Sequence, residues 1–177
     1  MKDHAPKSLA GNAPLPVSVS IISYNEEDNI GRCIEAIRDL AAEIVVVDSL
    51  STDRTVEIAR SLGATVYIEP WKGHIEQKNS ALEKCGQPWV LSLDCDEVVS
   101  KELRQSIKDA VAGAANDGFW INRRTNFMGE WINHAWYPDW NLRLVKREKE
   151  VPIGVPGVVD PFRSEEHTSE LQSRSDL

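Results

Sequence analysis

Four runs of branched apolar residues, each followed by a segment of helical periodicity, constrain this chain more than anything else in it. Val17–Ser23 (VSVSIIS) reads as a first strand. Ile30, Cys33, Ile34, Ile37 and Leu40 then recur at helical spacing, which gives one buried stripe. Glu43–Asp48 (EIVVVD) is a continuous apolar run, the pattern of a strand covered on both faces. A helix from about Asp53 to Leu62 follows, with Ser51 or Thr52 as its cap and Gly63 as the left-handed residue that ends it. Thr65–Glu69 is a third strand, Glu76–Lys84 a third helix and Trp89–Asp94 (WVLSLD) a fourth strand, and Ser100 caps a helix carrying Leu103, Ile107 and Val111. Strands separated by helices of this length need crossover connections, so the expected class is α/β, with a mostly parallel sheet flanked by helices. Gly118–Arg123 and Trp140–Val145 read as two further strands around an irregular aromatic stretch.

At 177 residues, 41% of them apolar and 27% charged, the chain suits one domain with a substantial core. A net charge of −8 gives DNA, RNA or an anionic membrane no electrostatic footing. A small phosphorylated ligand can still be held locally by backbone amides, a lysine or a metal ion. Cys33, Cys85 and Cys95 are odd in number and lack CxxC spacing, which argues against a disulfide framework or a zinc site and for a reducing, cytoplasmic setting. Residues 1–16 are polar, without the apolar run of a signal peptide, and read as a flexible lead-in. No stretch approaches the roughly 18 apolar residues of a membrane span.

At the other end, Arg163–Ser173 (RSEEHTSELQS) matches the translation of a common sequencing-library adapter. Residues 163–177 are therefore expected to be a non-native tail with nothing to bury, and the natural product to be cut short there. The tail holds two positive and four negative side chains; without it the charge is −6, and the exclusion of nucleic acid stands.

Polar residues collect where the strands end. Strand one runs into Asn25-Glu26-Glu27, strand two into Asp48, strand three into Glu69, and strand four into Asp94-Cys95-Asp96-Glu97. Open parallel sheets bind ligands beyond the carboxyl ends of their strands, so that rim is the expected site. For Glu27 and Asp28 an ordinary helix start serves equally well. Asp94-Cys95-Asp96 is the sharpest feature: residues two apart in an extended segment share a side, so both carboxylates can face the rim while Cys95 points back. Two hard oxygen ligands suit Mg²⁺ or Mn²⁺, which complete their shell with water and substrate phosphates.

In this order and spacing the segments ISYNEEDNIGRC, VVVDSLSTDRT, QKNSAL and WVLSLDCDEVVS resemble family 2 glycosyltransferases of the GT-A fold. FMGEWI and WYPDWNLRLVKR fit the small bacterial enzymes similar to lipopolysaccharide core β-glucosyltransferases, and the match covers roughly residues 17–147. The resemblance implies an inverting transfer of a sugar from a nucleotide sugar, most often a UDP-sugar, to a saccharide or lipid-linked saccharide acceptor. It implies a cytoplasmic protein in contact with the inner face of a bacterial membrane. By position, Asn25 and Glu26 lie against the nucleotide, Asp48 accepts a hydrogen bond from the base, and Lys78 and Asn79 line the donor site. Asp94 sits near the ribose and metal, and Asp96 ligates the metal.

An inverting transfer also needs a carboxylate to take the acceptor proton. Asp139 in WYPDW is the first candidate and Glu130 the second; a turn after Pro138 is the plain alternative for Asp139. Trp120, Trp131, Trp136, Tyr137 and Trp140 offer ring faces for sugars or simple packing, with packing favoured for Trp120. His134 is a weaker acceptor candidate. Arg143 and Arg147 are candidates for the diphosphate or an anionic acceptor, against a plain surface role.

The resemblance fades after Arg147. Residues 148–162 read as the remnant of an acceptor region, with Gly157-Val158-Val159-Asp160 standing where the family has a Val-His-Glu-like element, the histidine missing. A catalytically inactive nucleotide-binding fragment is therefore one alternative. A receiver-like signalling domain with Asp48 as phosphate acceptor is another, though its paired acids after strand one are replaced here by Ser-Tyr-Asn. A nucleotidyltransferase of related fold lacks its Gly-rich, Arg-containing signature.

Overall fold

A computed structural model describes residues 13–113, 116–128, 130–132, 138–149 and 170–175, the last six as backbone. The expected alternation is present as β1 (Leu15–Ser23), α1 (Ile30–Glu35), β2 (Ala41–Asp48), α2 (Thr55–Ser61), β3 (Thr65–Ile68), α3 (His74–Glu83) and β4 (Trp89–Asp94). Then come β5 (Glu97–Val99), α4 (Lys101–Gly113), β6 (Gly118–Phe127), β7 (Glu130–Trp131), β8 (Asp139–Lys146), a 3-10 turn at Arg147–Lys149, and β9 (Glu170–Ser175). The described strands form one sheet in the order β3-β2-β1-β4-β8-β6-β9-β5, with β7 on β6. Neighbours among β3, β2, β1 and β4 are parallel, β8 runs against β4 and β6, and β9 runs with β6. The sheet is thus mixed and mostly parallel in direction.

Strand periodicity sorts the core into two faces. Val19 and Ile21 of β1, Ile44 and Val46 of β2, Leu91 and Leu93 of β4, and Leu144 of β8 pack with α1, α2 and α4. Their alternates Val45, Val90 and Val145 lie on the other face with Cys85 and with Leu82 of α3. The same period of two continues to the strand ends. Asp48 therefore shares the face of Val46, whereas Asp94 shares the face of Val90, beneath α3. That parity decides which neighbours each acid meets.

Sequence and structure differ locally in four places. The stripe Ile30, Cys33, Ile34, Ile37 and Leu40 is buried throughout, but the helix itself stops at Glu35 and turns carry the rest. Neither Ser51 nor Thr52 caps α2: Ser51 is bonded to Asp48 and Asn25, Thr52 to Asn25, and no side chain caps the helix at Arg54. Asp53 instead accepts from the Thr55 amide at 3.0 Å. Glu97–Val99, given no element from the sequence, is a short strand. Finally, residues 170–175, expected to take no part in the fold, form β9 between β6 and β5. A slot in a sheet asks only for backbone donors and acceptors, so a polar segment can fill it. Two expected features hold: Gly63 ends α2 at φ +92°, and the Ser100 hydroxyl accepts from the Leu103 amide at 3.1 Å.

Candidate active site

The carboxyl ends of β1, β2 and β4 are level. In register, Ile22 sits beside Asp94 and Ser23 beside Asp48. Beyond them opens a cavity of about 770 Å³, lined among others by Glu26, Ser49, Trp71, Lys78, Asp94 and Asp96. That volume lies within the usual range for small-molecule sites.

At one end the lining is charged. Lys78, reaching down from α3, places Nζ 2.8 Å from Asp94 Oδ1, and Arg143 of β8 places Nη2 3.1 Å from Oδ2. Arg143 also meets Glu97 Oε1 at 2.8 Å, and Glu97 Oε2 accepts from the Asp94 amide at 2.9 Å. Burial would push the Asp94 carboxyl up, but the charges of Arg143 and Lys78 outweigh it and hold the group below its ordinary value. Glu97, with no exposed surface, goes the other way. Burial, with the Asp94 charge adding to it, lifts Glu97 to about 7 in spite of Arg143. Asp96 is likewise raised, by burial first and then by the charge of Asp94. Cys95 points back as expected, buried, with Sγ 2.9 Å from the Ile22 carbonyl oxygen.

At the other end, hydrogen bonds without a lysine or arginine partner tie the β1–α1 turn to the β2–α2 turn. Asp48, 1% exposed, accepts from the Ser23 hydroxyl at 2.9 Å, the Ser51 amide at 2.9 Å and the Ser51 hydroxyl at 2.5 Å. Asn25, held at φ 51°, donates its amide to Ser51 Oγ and accepts from the Thr52 amide at 2.9 Å. The Glu26 amide donates to Thr55 Oγ1 at 2.7 Å. Glu69, level with Asp48, is turned into structure: Lys72, Ser80 and Lys84 all donate to it.

The rim thus gathers Glu26, Lys78, Asp94 and Asp96 in one cavity. Asn25 and Asp48 stand beside it as fasteners, with Asp48 on the opposite face of the sheet for the parity reason above. Its burial also leaves no accessible carboxylate for phosphorylation, which removes the receiver-like alternative. Asn79 is half-buried on α3 with its Oδ1 unpartnered. Asp139, at the start of β8, lies outside the cavity lining among the described residues. Arg123 Nε and Nη2 each donate to its Oδ2 at 2.8 Å, and Asn141 bonds its other oxygen. Glu130 is exposed at the tip of the sheet, as are Trp131 and Trp140, while Trp120 is half-buried. His134, Trp136, Tyr137 and residues 150–162 lie outside the described residues.

Sequence reasoning missed two things. Glu97 was read only as part of an acidic cluster, and a surface role was kept open for Arg143, which is 4% exposed and bound to Asp94 and Glu97. An arginine alternating with Leu142 and Leu144 was the available signal.

For a divalent cation the residues fit in part. Among the described residues no three of His, Cys, Asp or Glu come together as a cage. Mg²⁺ and Mn²⁺ do not require one, since one or two carboxylates and substrate phosphates suffice. Asp96 is suited: it faces the cavity, and its raised carboxyl, pressed by the charges of Asp94 and Glu26, gains from a cation. Asp94 already spends one oxygen on Lys78 and the other on Arg143.

The family model for glycosyl transferase family 2 matches residues 18–164. The chain belongs to glycosyl transferase family 2. This family member is 37% identical over 145 residues to the lipopolysaccharide core biosynthesis glycosyltransferase LpsC of Rhizobium meliloti, covering 76% of this chain and 52% of that one. It is 44% identical over 103 residues to an uncharacterized glycosyltransferase of Rickettsia bellii, covering 58% of this chain and 35% of that one. The chain thus spans about half of the first of these relatives and about a third of the second. Among solved structures it is similar to mannosyltransferase PcManGT from Pyrobaculum calidifontis in complex with GDP-Man and Mn²⁺. That likeness has 26% identity and a TM-score of 0.50, and covers 69% of this chain and 39% of the other. The fold of the family member is the GT-A arrangement. No helix among its described residues is long and apolar enough to cross a membrane.

Proposed function

We propose that this family 2 chain binds a nucleotide sugar, a UDP-sugar by preference, and transfers its sugar with inversion to a hydroxyl of a cell-envelope saccharide. One observation carries the reading: Glu26, Lys78, Asp94 and Asp96, supplied by three separate elements, line a single cavity at the carboxyl rim of the sheet. The GDP-Man and Mn²⁺ of the similar mannosyltransferase support the ligand class, and the name of LpsC supports the acceptor class.

Asp96 is the residue that would hold Mg²⁺ or Mn²⁺, and the bound cation supplies counter-charge to a departing diphosphate. Lys78 adds a second positive charge at the same end and, with Arg143, keeps Asp94 in one orientation before any ligand arrives. Asn25 and Asp48 act by fixing the turns that face the nucleoside, and Asn79 stays a candidate for the donor side. For the acceptor proton the candidates remain Asp139, then Glu130. Arg123 donates twice to Asp139 Oδ2, so Asp139 serves only when acceptor binding draws Arg123 away.

Calorimetry with UDP, GDP and their sugars, with and without Mn²⁺, tests the proposal on the wild type and Asp96→Ala. The expectation is cation-dependent binding that the substitution abolishes; binding indifferent to a chelator counts against it. The second reading, nucleotide binding without transfer, is favoured by Asp139, which lies outside the cavity lining and is held by Arg123. Binding with no sugar released or transferred selects it.

A further inference from the structure

Lys78 and Arg143 hold the two oxygens of Asp94 in unlike ways. Arg143, from β8, is 4% exposed and lies outside the cavity lining. Its Nη2 is shared between Asp94 Oδ2 at 3.1 Å and Glu97 Oε1 at 2.8 Å. Withdrawing it would strand the fully buried Glu97 as well, and an uncompensated buried charge is costly. Lys78, from α3, lines the cavity beside Asp94 and pairs with Oδ1 at 2.8 Å. Its side chain is 18% exposed, and a lysine carries its charge on a flexible four-carbon stem. Arg143 is therefore the fixed partner of Asp94 and Lys78 the exchangeable one.

The exchangeable contact covers the Asp94 oxygen on the cavity side. A divalent cation arriving alone must take Oδ1 from the ammonium and leave Lys78 part-buried without an anion. A diphosphate reverses the balance, because it gives Lys78 a new partner in the same cavity and sets Oδ1 free. Arg143 stays on Oδ2 and keeps the carboxylate in place. We infer that Lys78 is a placeholder for the metal: it closes Asp94 to a cation that arrives alone and yields when a diphosphate arrives, so that the two are taken up as a pair. This rests on the nucleotide-sugar reading of the site. Linkage makes the effect mutual, each ligand tightening the other by the same factor. A lysine that only bound phosphate would leave binding of the cation alone untouched. One that only supported the fold would weaken every ligand when removed.

The test measures Mn²⁺ alone, by loss of the free-ion signal in electron paramagnetic resonance, and UDP without metal, by calorimetry. It uses wild type, Lys78→Met, Lys78→Gln, Lys78→Arg and the double variant Lys78→Met with Asp96→Asn. Both neutral variants are expected to bind Mn²⁺ alone about tenfold tighter than wild type, within the usual size of such couplings, and to bind metal-free UDP more weakly. Lys78→Arg keeps the charge and should stay close to wild type in cation binding, while the double variant should lose the gain. Mn²⁺ affinity that is unchanged or lower in both neutral variants overturns the placeholder role. So does a gain of equal size in Lys78→Arg, or one that survives Asp96→Asn. A wild type that binds neither UDP nor GDP even with Mn²⁺ instead defeats the functional reading, on which the cation measurement does not depend.

Discussion

The two ends of the cavity are built on opposite plans. Around Asp48 the polar groups are small and, the Ser49 hydroxyl apart, answered: a buried carboxylate takes three donors, and each turn supplies the partner of the other. Around Asp94 the groups are long, charged and unevenly matched. Two lysine or arginine donors meet Asp94, Glu97 is buried deeply enough to lift its carboxyl to about 7, and Arg143 Nε and Nη1 are buried without partners. The first end is stable as it stands. The second gains from an arriving cation and anion, as a site for charged ligands requires. The turns already tied together and the charges that gain from a ligand thus lie on separate sides of β1.

Four measurements can break or sharpen that contrast. Arg143→Met leaves Asp94 and Glu97 without their shared cation and is expected to cost about 3–5 kcal/mol in urea unfolding. A loss below 1 kcal/mol means that the charged end does not rely on this pair. Asp48→Ala strands the donors of Ser23 and Ser51 and is expected to cost about 2 kcal/mol, with cation-only binding unaffected. The effect of Glu69 depends on pH. Its folded value is lowered to about 2, by Lys84, Ser80 and Lys72, from the ordinary 4.5. Its contribution is therefore complete above pH 4.5 and is lost as pH falls toward 2. Glu69→Gln should remove that part of the acid slope and cost about 1 kcal/mol at neutral pH, given solvent screening. The smallest change has the opposite sign. Asp96→Asn relieves a carboxylate whose charge is disfavoured, and should raise the metal-free melting temperature by the equivalent of about 0.5 kcal/mol. A drop would show that Asp96 supports the fold rather than a ligand.

Much of the fold was legible because burial writes a period into sequence. The stripe from Ile30 to Leu40, the continuous run Ile44–Val47 and the Gly63 stop each follow from local rules, and all are found. The failures share a cause. Ser51 is a plausible cap by composition, but Asp48 and Asn25 compete for it and win, since a buried carboxylate gains more from a donor than a solvent-facing helix end does. Arg143 resembles any surface arginine until β8 is set against β4. The strand at 170–175 carries no apolar alternation, and its pairing is visible only once β5 and β6 stand apart to receive it.

By itself, then, the sequence determined the βα order, the two-faced core and the chemical character of the rim, because each depends on near neighbours and on the alternation of side chains along a strand. Only the tertiary structure decided that Asp48 faces inward to Ser23 and Ser51 while Asp94 turns toward Lys78 and Arg143. Those partners lie between 3 and 49 residues apart in the chain. Which of them a carboxylate meets is settled by register and crossover, where backbone geometry rather than side-chain preference brings distant charges together.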